Sequence, residues 1–167
     1  MLHKVTIAGI TIDPASNTPI IILKSHEGHH TIPIWIGLFE ATSIASTLQD
    51  INFERPMTHD LFKNLMTTLN LTVSQVDVHD IKDNTFYAKI YITSIEKTFS
   101  IDARPSDAIA IALKFKAPIF VDDKVIEKSG ITDISAPSEV FDKSEEGKKW
   151  ADYLEKLSPE DFGKYKI

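Results

Sequence analysis

Apolar and polar residues alternate almost from the first position of the chain. Val5, Ile7 and Gly9 alternate with Thr6 and Ala8, and Ile10-Thr11-Ile12 prolongs the run, which predicts a first strand. Asp13-Pro14-Ala15-Ser16-Asn17 has turn chemistry. Thr18 to Ser25 predicts a second strand. Within it Ile20-Ile21-Ile22-Leu23 is apolar on both faces, the pattern of a central strand covered on two sides. Glu27-Gly28 reads as a hairpin tip. Thr31 to Ile36 predicts a third strand, and Pro33 favours an edge position or a bulge because it cannot donate to a ladder.

Gly37 ends that strand, and the period changes. Leu38, Ala41, Ile44, Ala45 and Leu48 follow helical spacing, so a helix is expected over roughly 38–51. Asn52 to Met57 breaks it. Thr58 is the expected N-cap of a second helix, with His59 and Asp60 in its first turn and Leu61, Leu65 and Leu69 on its apolar stripe. Leu71 to Ile81 alternates again through Val73, Val76 and Val78. A turn at Lys82-Asp83-Asn84-Thr85 leads to strands at Phe86 to Ile95 and Thr98 to Ala103. Arg104-Pro105-Ser106-Asp107 is a helix-start signal, with Ser106 the expected N-cap and Asp107 facing the positive end of the dipole. The stripe Ala108, Ile109, Ile111, Ala112 and Phe115 follows, then a short strand Pro118 to Val121 and a helical turn over Val125 to Ser129.

From Gly130 the character changes to a loop-like stretch, then a charged helix over Glu145 to Leu157 with Trp150, Tyr153, Leu154 and Leu157 on one face. Ser158-Pro159 reads as an N-cap followed by Pro at the first helical position. Two parts are therefore expected, a core over 1–134 and a helical C-terminal extension over 135–167. Trp150 and Tyr153 would pack that arm onto the body or onto a neighbouring subunit. Strand-rich and helical stretches are not strictly interleaved. The expected class is α+β, with a mixed, largely antiparallel sheet and three main helices packed on it.

Composition narrows the chemistry. The chain has 167 residues and no cysteine, which excludes thiolate zinc sites, Fe–S clusters, thiol nucleophiles and disulfides. Eighteen basic against 24 acidic residues give a net charge of −6, which argues against a broadly basic nucleic-acid surface while allowing a local cationic site. No apolar run approaches a membrane span of about 20 residues, and Met1-Leu2-His3-Lys4 leads directly into strand pattern. A cytoplasmic protein without a membrane partner is expected. His26-Glu27-Gly28-His29-His30 matches the H-E-x-x-H string but lies between strands, where its histidines cannot converge as i, i+4 helix partners. Phosphate-cradling glycine loops and a G-x-S-x-G elbow are absent.

Five specific strings remain: Pro33-Ile34-Trp35-Ile36-Gly37 followed by Glu40-Ala41; Arg55 to Asp60; Asp83 to Ala88; Asp102 to Ala110; and Pro118 to Val121. Together, and in this order, they resemble the bifunctional nuclease family over about residues 1–130. Asn84 stands where that family commonly has Gly, and the turn accommodates either. The arm through Ser158 to Gly163 is similar to the extension of some bacterial members. The resemblance implies an α+β domain, self-association, and nuclease action on DNA and RNA.

The residues allow such chemistry. Asp102, Arg104 and Asp107 surround one strand-to-helix junction. Asp102 and Asp107 are the candidate carboxylates for Mg²⁺ or Mn²⁺, which would polarise a phosphoryl oxygen and acidify a bound water. Arg104 is the candidate phosphate clamp. His59 is the candidate acid or base, given an ordinary pKa of ~6.5, with Asp60 orienting it or joining the metal. Glu40 is a possible third carboxylate. An Arg55–Asp60 or Arg55–Asp107 contact would be a structural tie. Each polar string also has a structural reading: Asp102 and Arg104 pair across a turn, and Ser106, Asp107 and Asp60 serve helix starts. Trp35, Phe86 and Tyr87 are possible base-stacking groups, although Trp35 between two isoleucines is expected in the core or a subunit interface. The rival reading is a non-catalytic oligomeric module binding a protein or small ligand. A homo-oligomer is expected in either case, with a dimer favoured.

Overall fold

A computed structural model of the chain describes residues 1–26 and 30–129. The hairpin tip and the C-terminal arm expected from the sequence lie outside these residues. Seven strands form one sheet: β1 Leu2–Asp13, β2 Thr18–Ser25, β3 Thr31–Trp35, β4 Thr72–Lys82, β5 Thr85–Thr93, β6 Thr98–Ala103 and β7 Ile119–Asp122. Among the described residues four helices accompany them: α1 Leu38–Leu48, α2 Thr58–Thr68, α3 Pro105–Phe115 and α4 Asp123–Ser129. The class is α+β, as expected.

The strand order is β3-β2-β1-β7-β4-β5-β6. Two antiparallel meanders, β1–β3 and β4–β6, are joined by the last strand. β7 pairs antiparallel with Leu2–Val5 of β1 and parallel with Val76–Val78 of β4. Every other neighbouring pair is antiparallel. Pro33 sits on the edge strand opposite Ile22, where its missing N–H costs no ladder bond. The β4–β5 turn has two residues, Asp83 and Asn84, at φ 47° and 59°. Positive φ at both central positions matches the twist of a hairpin, and Asp and Asn tolerate it best after Gly.

The core lies between the sheet and the helices. In α3, Ala108 to Ala112 are all buried, so this helix is apolar nearly all round. It packs on β4 and β5 and carries α1 and α2 on its flanks. Ile109, fully buried, contributes about 1.5–3 kcal/mol of transfer free energy.

Four local expectations need correction. The N-cap of α2 is Met57, and Thr58 is the first helical residue. Its cap bond is made from inside, since Asp60 Oδ2 accepts from the Met57 N–H at 3.0 Å. The N-cap of α3 is Arg104, at φ −68° and ψ 143°, and Ser106 lies within the first turn. Pro105 takes the first helical position and holds the preceding residue extended, which moves the cap upstream. Finally, Leu61, Leu65 and Leu69 are 62%, 54% and 57% exposed. The side of α2 that meets the core is narrower and is carried by Met66 and Phe62. Trp35 is likewise half-exposed, not core, and its indole Nε1–H donates to Asp13 Oδ2 at 3.1 Å.

Candidate functional site

Three helices of this fold begin with an acid at the third position: Glu40 in α1, Asp60 in α2 and Asp107 in α3. A carboxylate there faces free N–H groups and the positive end of the dipole. Helix packing then decides what each acid meets.

Arg104 caps α3 and is itself a cation at an unfavourable helix end. Two carboxylates offset this. Its Nε donates to Asp107 Oδ2 at 2.7 Å, and one terminal nitrogen donates to Glu40 Oε1 at 2.6 Å. The guanidinium remains 67% exposed, whereas Glu40 is 14% exposed. Glu40 folds back over Gly37, where a Cβ would overlap its Oε2, so glycine permits the close approach.

Asp107 has a second partner. Its Oδ1 lies 3.0 Å from His59 Nε2, and His59 Nδ1 lies 2.8 Å from Ser43 Oγ on α1. Burial pushes the Asp107 carboxyl up. The Arg104 and His59 hydrogen bonds and the charges of both outweigh that and hold it below the ordinary carboxylate value. Asp107 is therefore ionised near neutrality and only accepts. His59 Nε2 must carry the proton of that bond. In the neutral ring Nδ1 is then the acceptor, and the Ser43 hydroxyl donates to it. The network runs Glu40–Arg104–Asp107–His59–Ser43 and joins all three helices.

The sequence-predicted residues thus divide. His59, Arg104, Asp107 and Glu40 are brought together. Asp60 is one residue from His59 but serves another contact: its Oδ1 lies 2.5 Å from Lys114 Nζ, in the last turn of α3. Arg55 takes neither of its expected partners, since Lys114 holds Asp60 and Arg104 holds Asp107. Asp102 is exposed on β6, opposite Lys89 in register, and stands outside the network. Ser43 and Lys114 were not anticipated. The spacing of Ser43 one turn beyond Glu40 on the same helix was the available signal.

The donor set does not suit a divalent cation. Both Asp107 oxygens are engaged by donors, and Glu40 faces a guanidinium. Among the described residues no group of three or more His, Asp or Glu is gathered to hold a metal. What the arrangement can do is orient an imidazole, pass a proton along it and present a fixed cation beside it.

Arg104 also borders a groove of about 760 Å³. It lies between the end of β3 at Trp35, the β4–β5 turn at Asn84, the start of β5 at Phe86, the first turn of α3 at Ser106, and Lys128 of α4. No helix among the described residues is long and apolar enough to cross a membrane.

Fold and site together define an α+β domain with an acid–histidine–hydroxyl relay beside an exposed guanidinium. Residues 21–133 match the bifunctional nuclease domain, and the chain belongs to that family. It is 34% identical over 166 residues to a protein of Mycobacterium tuberculosis described as uncharacterized, covering 96% of this chain and 98% of that one. It is 28% identical over 131 residues to bifunctional nuclease 1 of Oryza sativa subsp. indica, and 25% identical over 117 residues to bifunctional nuclease 1 of Arabidopsis thaliana. Those matches cover 75% and 68% of this chain but only 40% and 36% of the plant proteins.

Proposed function

We propose that this protein is a nuclease that hydrolyses phosphodiester bonds of DNA and RNA with low sequence specificity. The observation that carries the reading is the Asp107–His59–Ser43 relay lying beside the exposed Arg104 guanidinium. Arg104 holds a phosphate oxygen and stabilises the charge that develops on it during attack. His59, oriented by ionised Asp107, is the proton acceptor. An attacking water gives its proton to Ser43 Oγ as the Ser43 hydroxyl proton passes to His59 Nδ1. The imidazolium so formed is stabilised by Asp107 and returns the proton to the leaving oxygen by the same route. Names of relatives support the reaction class, and the chemistry of these four residues supports the assignment of roles.

The test is cleavage of single- and double-stranded DNA and of RNA by wild type, Asp107→Ala and His59→Ala. Each is assayed with Mg²⁺, Mn²⁺ or EDTA, after matching circular dichroism and size-exclusion profiles. Cleavage lost in both folded variants is expected. Cleavage retained in both would move the chemistry away from this relay. Absence of cleavage in the wild type, with binding that is insensitive to salt, would favour a non-catalytic binding module.

A further inference from the structure

We infer that the groove bordered by Trp35, Phe86 and the first turn of α3 binds a mononucleotide unit, with its phosphate at Ser106 and its base toward Trp35. The inference rests on the nuclease reading for the choice of a nucleotide, but the site has its own grounds.

The first is charge. The chain carries a net −6, yet the residues lining this groove include two cations, Arg104 and Lys128, and no carboxylate. The nearest acids hold these cations from outside the lining: Glu40 and Asp107 on Arg104, and Asp80 on Lys128 at 3.1 Å. Both cations remain more than half exposed, at 67% and 51%.

The second ground is an unused donor. Ser106 is 6% exposed and lines the groove, and its hydroxyl has no hydrogen-bond partner among the described residues. That leaves the Ser106 oxygen free to bond a group that enters the groove. It stands in the first turn of an eleven-residue helix, where the Ser106 and Asp107 N–H groups have no intrahelical acceptor. Hydroxyl, free amides and two cations around one space form a seat for a tetrahedral oxyanion.

The third ground is shape. About 760 Å³ is the size of a small-molecule site, well beyond the needs of a bare anion. Pro33, Ile34, Ile36 and Ile81 make the wall apolar, and the half-exposed Trp35 offers a flat ring. A phosphate joined to a planar aromatic base satisfies both ends of the groove.

The experiment is a ¹H–¹⁵N NMR titration of the full chain with adenosine monophosphate, inorganic phosphate and adenosine. Both phosphate-containing probes are expected to shift the Ser106 and Asp107 amides, and only the two base-containing probes the Trp35 indole. Ser106→Ala should weaken adenosine monophosphate roughly tenfold, the loss of one charge-assisted hydrogen bond. Trp35→Ala should weaken adenosine monophosphate and leave inorganic phosphate unchanged. Lys128→Ala should weaken both probes. Ser106→Ala removes a single oxygen, so it keeps the test open if Lys128→Ala loosens α4. If wild type cleaves nucleic acid but no probe moves Ser106, the groove assignment falls and the nuclease reading stands. If the probes bind while relay variants cleave normally, the relay falls and the groove stands.

Discussion

Replacing Asp107 by Asn keeps the shape of the side chain and removes its charge, so it isolates the relay. The carboxylate accepts from two donors, Arg104 Nε–H and His59 Nε2–H. An amide has one acceptor oxygen and one donor NH₂, so it cannot serve both. Facing its oxygen to Arg104 turns its NH₂ toward His59. The imidazole must then move its proton to Nδ1, and the Ser43 bond reverses so that Ser43 accepts. A charge-assisted hydrogen bond contributes about 1.5–3 kcal/mol. Here Arg104 is 67% exposed, so solvent screening brings its share toward ~1 kcal/mol. Adding the weakened His59 bond, the loss is about 1–2 kcal/mol, or a fall in Tm of roughly 2–8 °C for a chain of this size. Cleavage should fall by about 10²–10⁴, the usual worth of a positioned acid–base group. The pH dependence has a fixed sign. The wild-type carboxyl is held below its unfolded value, so its contribution is present above the unfolded pKa and is lost as pH falls through the folded one. The Asn variant lacks that acid-side loss. Long-range ¹H–¹⁵N spectra of the His59 ring, thermal unfolding and cleavage read the three effects. An unchanged Nε2–H tautomer together with unchanged cleavage would refute the reasoning.

Lys114 is 11% exposed and ties α3 to Asp60 of α2, so Lys114→Met should cost about 1–3 kcal/mol in urea unfolding. A double-mutant cycle with Asp60→Ala should show coupling, and additivity would mean that the pair contributes nothing. Burial pushes the Asp77 carboxyl up despite its Gln75 and Tyr91 bonds, which makes ionised Asp77 a liability near neutrality. Its contribution to stability should therefore diminish as pH rises through the raised pKa. Asp77→Asn should abolish this pH dependence in denaturation curves taken across the range. Asp80, held mainly by the Lys128 hydrogen bond, should titrate at about 2 by carbon-detected NMR, and Lys128→Ala should raise it toward the ordinary carboxylate range.

Much of the fold was legible because local pattern and burial agree. The two-sided run Ile20–Leu23 is a central strand, and Pro33 marks the edge beside it. The alternation of Val73, Val76 and Val78 lies on β4. Periodicity located α2 but not the side it buries. Leu61, Leu65 and Leu69 make a regular i, i+4 row, yet the side that meets the core is carried by Met66 and Phe62, and the leucines are more than half exposed. A helical period states that residues share a face and does not state what covers it. Likewise the insertion of β7 between β1 and β4 is a long-range pairing that no neighbouring residue announces.

The site shows the same division more sharply. His59, Arg104 and Asp107 were identifiable as types, since each sits at a helix start, where an acid such as Asp107 has a local reason to be. That local reason alone would satisfy the acids without joining them. What joins them is the seating of α1 and α2 on the buried, small-residue helix α3, which brings Glu40 to Arg104 and His59 to Asp107 across 64 and 48 residues. Asp102 and Asp107 are only five residues apart, yet the first belongs to a strand facing Lys89 and the second to a helix facing His59. Proximity in sequence therefore grouped with the junction a carboxylate that stands outside the network. Ser43 lies off the apolar stripe of α1, a position that periodicity alone reads as surface. Its hydroxyl acquires a chemical role only because the charge on Asp107 fixes the proton of His59 at Nε2. Charge state, tautomer and hydroxyl direction follow from one another in that order, which is why Asp107→Asn tests all three with a single substitution.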